Sequence, residues 1–106
     1  MGKAKSQLIN ILKVFKSSVT KKYGVEKIIL FGSQVTGRTT KDSDVDLIIV
    51  TKKNKMRIWP ELYHEWHMNL NINYPVDFVC YTPKEFKKLS KGITIVRQAL
   101  KEGIDI

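Results

Sequence analysis

The apolar positions of the N-terminal quarter of the chain follow helical spacing. Within residues 4–22 they recur every three or four residues, which is typical of a helix with one buried stripe: Leu8, Leu12, Phe15 and Val19. Lysines follow in the last turn, and Gly24 comes directly after Tyr23. Basic side chains suit a helix C-terminus and glycine often follows one, so a helix is predicted over residues 4–22.

Three short apolar runs predict strands at Glu26–Phe31, Asp44–Val50 and Val76–Tyr81. The first is nearly continuous in its apolar character, which is typical of a strand covered on both faces. The second alternates, so Asp44 and Asp46 share one face with Ile48 and Val50. Between these two strands we expect one or two helical turns over residues 33–38, ended by Gly37, and then a polar loop.

Two further helices are predicted in the second half of the chain. Residues 57–71 place Pro60 near the start of a helix with an apolar and aromatic stripe: Trp59, Leu62, Tyr63, Trp66 and Leu70. The segment Thr82-Pro83-Lys84-Glu85 fits a capping box with proline in the first helical turn. A short helix through about Leu89 should therefore follow.

A last helix is predicted over Ser90–Glu102, with Ile93, Val96 and Leu100 on one side, followed by a short extended tail. The order of elements predicts an α/β (α+β) fold, in which a small mixed sheet of three to four strands is covered by helices. At 106 residues, we expect a single domain over residues 1–106.

Composition narrows the class of partner. The net charge is +9, from 19 basic and 10 acidic residues, which favours anionic partners such as nucleotides and gives weak support to nucleic acid. Cys80 is the single cysteine, so no internal disulfide can form and a cytoplasmic setting is expected. No apolar run approaches the roughly 20 residues that span a bilayer, so we expect no membrane insertion.

Asp44 and Asp46 form the first candidate site. On a strand their carboxylates would lie about 5 to 7 Å apart, and at an effective dielectric of 20 they would repel by roughly 3 kcal/mol. A divalent cation removes this repulsion, and Mg²⁺ is the expected ion because it combines one or two carboxylates with substrate phosphates and water. The alternative is an ordinary strand start in solvent.

Gly32 and Ser33 form the second candidate site, where the first strand ends. Glycine lets the backbone approach a ligand closely, and the Ser33 hydroxyl can donate to a phosphate oxygen. The alternative is a common Gly-Ser turn, with Ser33 capping a helix. If the two strands are neighbours, the phosphate site and the carboxylates lie at one end of the sheet, and a metal can bridge them.

Asp77 is an acidic residue within an otherwise apolar strand. A buried, unpaired aspartate is costly, and a neighbouring metal would offset that cost. With two metals present, Asp77 could take the proton of an attacking hydroxyl. The alternative is an aspartate on an edge strand that faces water.

The motif Gly32-Ser33, ten residues, Asp44-Val45-Asp46 resembles the signature of the DNA polymerase beta-like nucleotidyltransferases. The small size and N-terminal helix are similar to the minimal nucleotidyltransferase (MNT) proteins of prokaryotes. The resemblance implies transfer of a nucleoside monophosphate from ATP or another NTP, with release of pyrophosphate. It implies that Gly32 and Ser33 bind the triphosphate, that Asp44 and Asp46 bind two Mg²⁺ ions, and that Asp77 completes the metal and catalytic site.

The resemblance also implies a protein partner. MNT proteins commonly pair with a helical HEPN-domain ribonuclease. The pair resembles a toxin–antitoxin module in which the MNT protein is the antitoxin. It would act on the toxin by AMP transfer to a tyrosine or by binding alone. Arg often follows the Gly-Ser of this family; Gln34 stands there in this chain, so Arg38 is the candidate for that charge. Transfer to a small molecule or to RNA is a further alternative.

Overall fold

The computed structural model describes residues 3–36, 44–53 and 55–106. In chain order the elements are α1 (Lys3–Tyr23), β1 (Val25–Phe31), α2 (Ser33–Thr36), β2 (Val45–Thr51), α3 (Lys55–His64), which continues as a π-helix (Glu65–Asn69), β3 (Val76–Tyr81), α4 (Pro83–Leu89), α5 (Ile95–Glu102) and β4 (Ile104–Asp105). No helix in these three stretches is long and apolar enough to span a membrane.

The four strands form one mixed sheet in the order β3-β2-β1-β4. β1 pairs antiparallel with β2 and with β4, whereas β2 and β3 are parallel. The C-terminal end of β1 therefore meets the N-terminal ends of β2 and β3. The Val45 amide donates to the Pro75 carbonyl at 2.8 Å, which ties the starts of β2 and β3 together. The predicted mixed sheet is confirmed, and the expected C-terminal tail supplies its fourth strand.

Helices cover both faces of the sheet. One face packs against α1, α3 and the π-helix, with a core that includes Phe15, Leu30 and Trp66. The other face packs against α4 and α5, with a smaller core that includes Ile29, Ile48 and Val96. Neighbouring residues of β1 are buried on opposite faces, which explains why the run is almost continuously apolar.

α5 begins later than its apolar spacing predicts. The Thr94 side chain accepts a hydrogen bond from the Arg97 amide at 3.2 Å and donates to the Leu89 carbonyl at 2.6 Å, so it caps a helix that starts at Ile95 rather than Ser90. Ile93 therefore lies outside the helix and is fully exposed. The prediction that Ile93 shares one side of this helix with Val96 and Leu100 is therefore wrong; Val96 and Ala99 are buried, and Leu100 is 42% exposed.

α3 begins at Lys55, so Pro60 lies inside the helix and the prediction that it lies near the start is wrong. The helix then widens into the π-helix, where the Leu70 amide donates to the Glu65 carbonyl at 2.9 Å. The capping box at Thr82 and Glu85 is confirmed, with both reciprocal hydrogen bonds present.

Glu65 is a buried acidic residue that joins the π-helix to α1. Its side chain is 1% exposed and accepts hydrogen bonds from the Ser18 hydroxyl, from Lys22 Nζ at 2.9 Å and from Asn69 Nδ2 at 2.7 Å. Burial alone would raise the pKa of this carboxyl, but these hydrogen bonds outweigh burial and lower the pKa to about 2. The ionised form of Glu65 is therefore the form that stabilises the fold.

We expect Glu65→Gln to lower the free energy of unfolding at neutral pH by on the order of 3 kcal/mol. Because the folded pKa lies below the ordinary value of 4.5, this stability is present above pH 4.5 and is lost as the pH falls towards about 2. Urea unfolding of both proteins across that range measures it. Glu61→Gln is the control, since Glu61 is exposed and accepts only a 3.4 Å bond from Tyr23. Equal effects of the two substitutions at neutral pH would contradict this account.

Candidate active site

Three residues at one end of the sheet lie side by side on neighbouring strands. Phe31 at the end of β1 pairs with Asp46 in β2, and Asp46 pairs with Asp77 in β3. Paired residues point to the same face, and adjacent strands are about 4.8 Å apart. The carboxylates of Asp46 and Asp77 thus occupy neighbouring positions, and we call this pair the carboxylate row. The two residues are about 30 positions apart in the sequence, so the sequence alone does not show that they are neighbours.

Gly32 lies directly against one of these carboxylates. A Cβ atom built on Gly32 would clash with Asp46 Oδ2 and would lie 3.3 Å from its Cγ. Gly32 also has φ +79°, in the left-handed region that favours glycine. α2 begins at the next residue, and the Val35 amide donates to the Gly32 carbonyl at 3.0 Å. The glycine turn and the carboxylate row, predicted as separate candidates, therefore meet in space.

Asp46 is the half-buried carboxylate of the site. Burial raises the pKa of Asp46, and the negative charges of Asp77 and Asp44 raise it further. Asp44 is exposed and directly precedes β2, so the prediction that it belongs to the strand is wrong by one residue. Asp77 lies exposed on the edge strand, so the desolvation cost argued for it from sequence applies to Asp46 instead.

The raised pKa of Asp46 gives a prediction for the metal-free protein. A folded pKa above the ordinary value means that stability is present at low pH and is lost as the pH rises through the folded pKa. At neutral pH the charge on Asp46 therefore opposes folding, and we expect Asp46→Asn to raise the melting temperature in EDTA by about 3 °C. Asp105→Asn is the control, because Asp105 pairs with Lys27 at 2.9 Å and should not show this gain. A lower melting temperature for Asp46→Asn than for wild type would contradict the assignment.

Two aromatic side chains of α3 hydrogen-bond to the backbone at the outer edge of β3, next to Asp77. Trp59 Nε1 donates to the Phe78 carbonyl at 3.1 Å, and the Phe78 amide donates to the Tyr63 hydroxyl at 3.3 Å. The Tyr63 hydroxyl in turn lies 3.4 Å from Asp77 Oδ1. Sequence reasoning placed Trp59 and Tyr63 in a core stripe; their i, i+4 spacing was the available signal, but it does not show which strand edge they reach.

Parts of the predicted site lie outside the described residues. Residues 37–43 are among these, so the predictions for Gly37, for Arg38 as a phosphate-binding side chain and for the polar loop stay predictions. The Ser33 side chain is also outside the description, although its backbone begins α2. Its predicted contact with phosphate is likewise untested.

A metal at this end of the sheet would take its protein ligands from the carboxylates. Across residues 3–36, 44–53 and 55–106, no three His, Cys, Asp or Glu side chains are arranged as a metal-binding cluster. A ready-made cage of protein ligands is therefore not present in that part of the chain. The carboxylate row still fits Mg²⁺, because this ion commonly takes one or two carboxylates and completes its shell with phosphate oxygens and water. The excess negative charge around Asp46 is the observation that favours a cation there.

Comparison with known proteins agrees with this geometry. Residues 12–106 match the profile of the nucleotidyltransferase domain. The chain belongs to this family. The fold of this nucleotidyltransferase domain is similar to a 1.40 Å crystal structure of a protein from Sulfolobus solfataricus that is provisionally named a nucleotidyltransferase. The TM-score is 0.58 at 18% identity, over 99% of this chain and 87% of the other. A search of curated proteins gives no significant match.

Proposed function

We propose that this nucleotidyltransferase domain transfers AMP, or another nucleoside monophosphate, from Mg-bound NTP to a protein acceptor. The observation that carries the proposal is the contact of Gly32 with the Asp46 carboxylate, next to Asp77 on the neighbouring strand. A turn without a Cβ lets the backbone approach a phosphate closely, and neighbouring carboxylates can bind Mg²⁺ together with phosphate oxygens. Their meeting at one end of the sheet supports a shared site.

Each residue has a proposed role. Gly32 and Ser33 bind the triphosphate, with Arg38 adding positive charge, and Asp44 and Asp46 bind the metal ions together with Asp77. An acceptor hydroxyl oxygen forms a bond to the α-phosphorus, the bond from that phosphorus to the bridging oxygen breaks, and pyrophosphate leaves. Asp77 receives the hydroxyl proton. When bound, Mg²⁺ neutralises phosphate charge and lowers the pKa of the attacking hydroxyl.

The proposed acceptor is a tyrosine of a HEPN-domain toxin, which makes the chain an antitoxin. The resemblance of the Gly-Ser and Asp-x-Asp motif to MNT proteins supports this choice. Asp77 lies exposed on the outermost strand, which leaves the carboxylate row accessible to a large acceptor. A side chain presented by another protein could reach the exposed Asp77 without entering a closed pocket.

Radiolabelled ATP, with the label on the α-phosphate, tests the proposal when it is incubated with Mg²⁺, this chain and a HEPN-domain protein as the proposed partner. We expect label on a toxin tyrosine with wild type and none with Asp44→Asn. No transfer by wild type, or equal transfer by the variant, would contradict the proposal.

A second candidate function is an antitoxin that acts by binding alone. The observation that favours it is Gln34, which stands where Arg often follows the Gly-Ser of the resembled family and could lower the affinity for a triphosphate. In that case Asp46→Asn would neutralise the toxin as well as wild type does. Loss of neutralisation by this variant, with binding to the toxin intact, would exclude the binding-only function.

A further inference from the structure

The outer edge of β3 carries a hydroxyl that contacts the carboxylate row from outside. Tyr63 on α3 reaches around this edge, and its hydroxyl lies 3.4 Å from Asp77 Oδ1. The same hydroxyl accepts a hydrogen bond from the Phe78 amide at 3.3 Å. A tyrosine hydroxyl has one hydrogen to donate, and accepting from Phe78 leaves that hydrogen available for the Asp77 carboxylate.

The Tyr63 ring is itself held in place by aromatic contacts. It packs edge-to-face on Phe78, with ring centroids 4.6 Å apart, and on Trp59, with centroids 4.8 Å apart. Trp59 is anchored in turn by its hydrogen bond to the Phe78 carbonyl. The hydroxyl that meets Asp77 therefore comes from a side chain with little freedom to move.

Asp77 has a physical reason to need this contact. It is exposed on an edge strand, where its side chain has room to turn, and it lies beside Asp46 in the register of β2 and β3. Like charges in neighbouring positions repel, so without another contact the exposed carboxylate would turn away from the row towards water. A hydrogen bond from a fixed donor opposes that rotation.

We propose that Tyr63 is a positioning residue that holds the Asp77 carboxylate in line with Asp46. The importance of this contact for catalysis rests on the proposed function. The orientation of Asp77 itself can be measured without metal, nucleotide or acceptor. Tyr63→Phe removes only the hydroxyl. Tyr23→Phe is a matched control, because Tyr23 is also partly buried and donates a 3.4 Å hydrogen bond to a carboxylate, that of Glu61, away from the carboxylate row.

The first measurement is the χ1 rotamer distribution of Asp77, obtained from NMR three-bond couplings in metal-free protein. We expect a single rotamer in wild type and in Tyr23→Phe, and rotamer averaging in Tyr63→Phe. A single, unchanged rotamer in Tyr63→Phe would overturn the proposal, and so would averaging in wild type. Replacement of Tyr63 by p-aminophenylalanine, which retains a donor at a similar reach, should restore the single rotamer and covers the case in which Tyr63→Phe does not fold.

The second measurement is Mn²⁺ affinity in the presence of α,β-methylene-ATP, followed by electron paramagnetic resonance. We expect Tyr63→Phe to weaken Mn²⁺ binding about fivefold, because a fivefold change in affinity corresponds to the net free energy of one hydrogen bond. Tyr23→Phe should leave Mn²⁺ binding unchanged. Equal affinity of wild type and Tyr63→Phe would overturn the role of Tyr63 in the site. Equal affinity of wild type and Asp46→Asn would instead overturn the proposed function, while the Asp77 couplings would still decide the positioning role.

Discussion

Gly32→Ala should weaken metal-dependent binding of ATP at least about tenfold. The added Cβ would clash with Asp46 Oδ2, so either the turn or the carboxylate must move. The backbone at φ +79° is also unfavourable for alanine, which costs about 1 to 2 kcal/mol of stability. Binding of Mn²⁺ and α,β-methylene-ATP by titration calorimetry, at a temperature where the variant is folded, measures the effect.

Gly24→Ala separates the backbone cost from the effect on the site. Gly24 has a similar φ of +69°, but among the described residues its added Cβ would meet the flexible Lys53 side chain, 3.5 Å from Cε. We expect a similar loss of stability and unchanged nucleotide binding. If both variants lost nucleotide binding to the same extent, the loss would come from general destabilisation, and the contact between Gly32 and Asp46 would have no special role.

Asp46→Asn should reduce the proposed AMP transfer by about a thousandfold. The substitution keeps the shape of the side chain but removes the charge that we propose binds a cation, and cation stabilisation of developing charge is worth several kcal/mol. The same substitution should not destabilise the metal-free fold, so loss of activity would accompany a melting temperature that is equal or higher. Rates of label transfer under saturating acceptor measure the effect.

Asp105→Asn controls for the change in net charge. Asp105 lies in β4, on the opposite edge of the sheet from β3, and its carboxylate pairs with Lys27 at the surface. Transfer by this variant should stay within about twofold of wild type, since exposed ion pairs contribute little. A residual rate for Asp46→Asn close to that of Asp105→Asn would show that Asp46 does not hold the metal.

The sequence predicted most of the fold because local signals were strong. β3 and α4 have the predicted bounds, α1 is one residue longer than predicted at each end, and β1 begins one residue earlier and ends at Phe31 as predicted. The start of α5 was missed because Ile93 continues the apolar spacing, whereas Thr94 decides the helix start through its hydrogen bonds. Spacing shows which side chains could share a face, and capping shows where the helix begins.

The site was predictable in its residue types but not in its electrostatics. The spacing of Gly32 and Asp46 suggested a shared end of the sheet, and the antiparallel register of β1 and β2 provides it. Which carboxylate is desolvated depends on strand order, since β3 lies at the edge and leaves Asp77 exposed while Asp46 lies further in. Strand order and the reach of Tyr63 around that edge are long-range properties that no local pattern contains.

We propose that Gly32 and the carboxylate row form one site for a metal-bound triphosphate. Calorimetric titration of wild type with α,β-methylene-ATP, with and without Mn²⁺, tests this proposal most directly. The analogue binds without transfer of a nucleoside monophosphate, so no acceptor is needed. We expect binding that requires Mn²⁺ and that is weakened at least about tenfold in Asp46→Asn, because a charged ligand is lost. Binding of equal strength without Mn²⁺, or in Asp46→Asn, would contradict it.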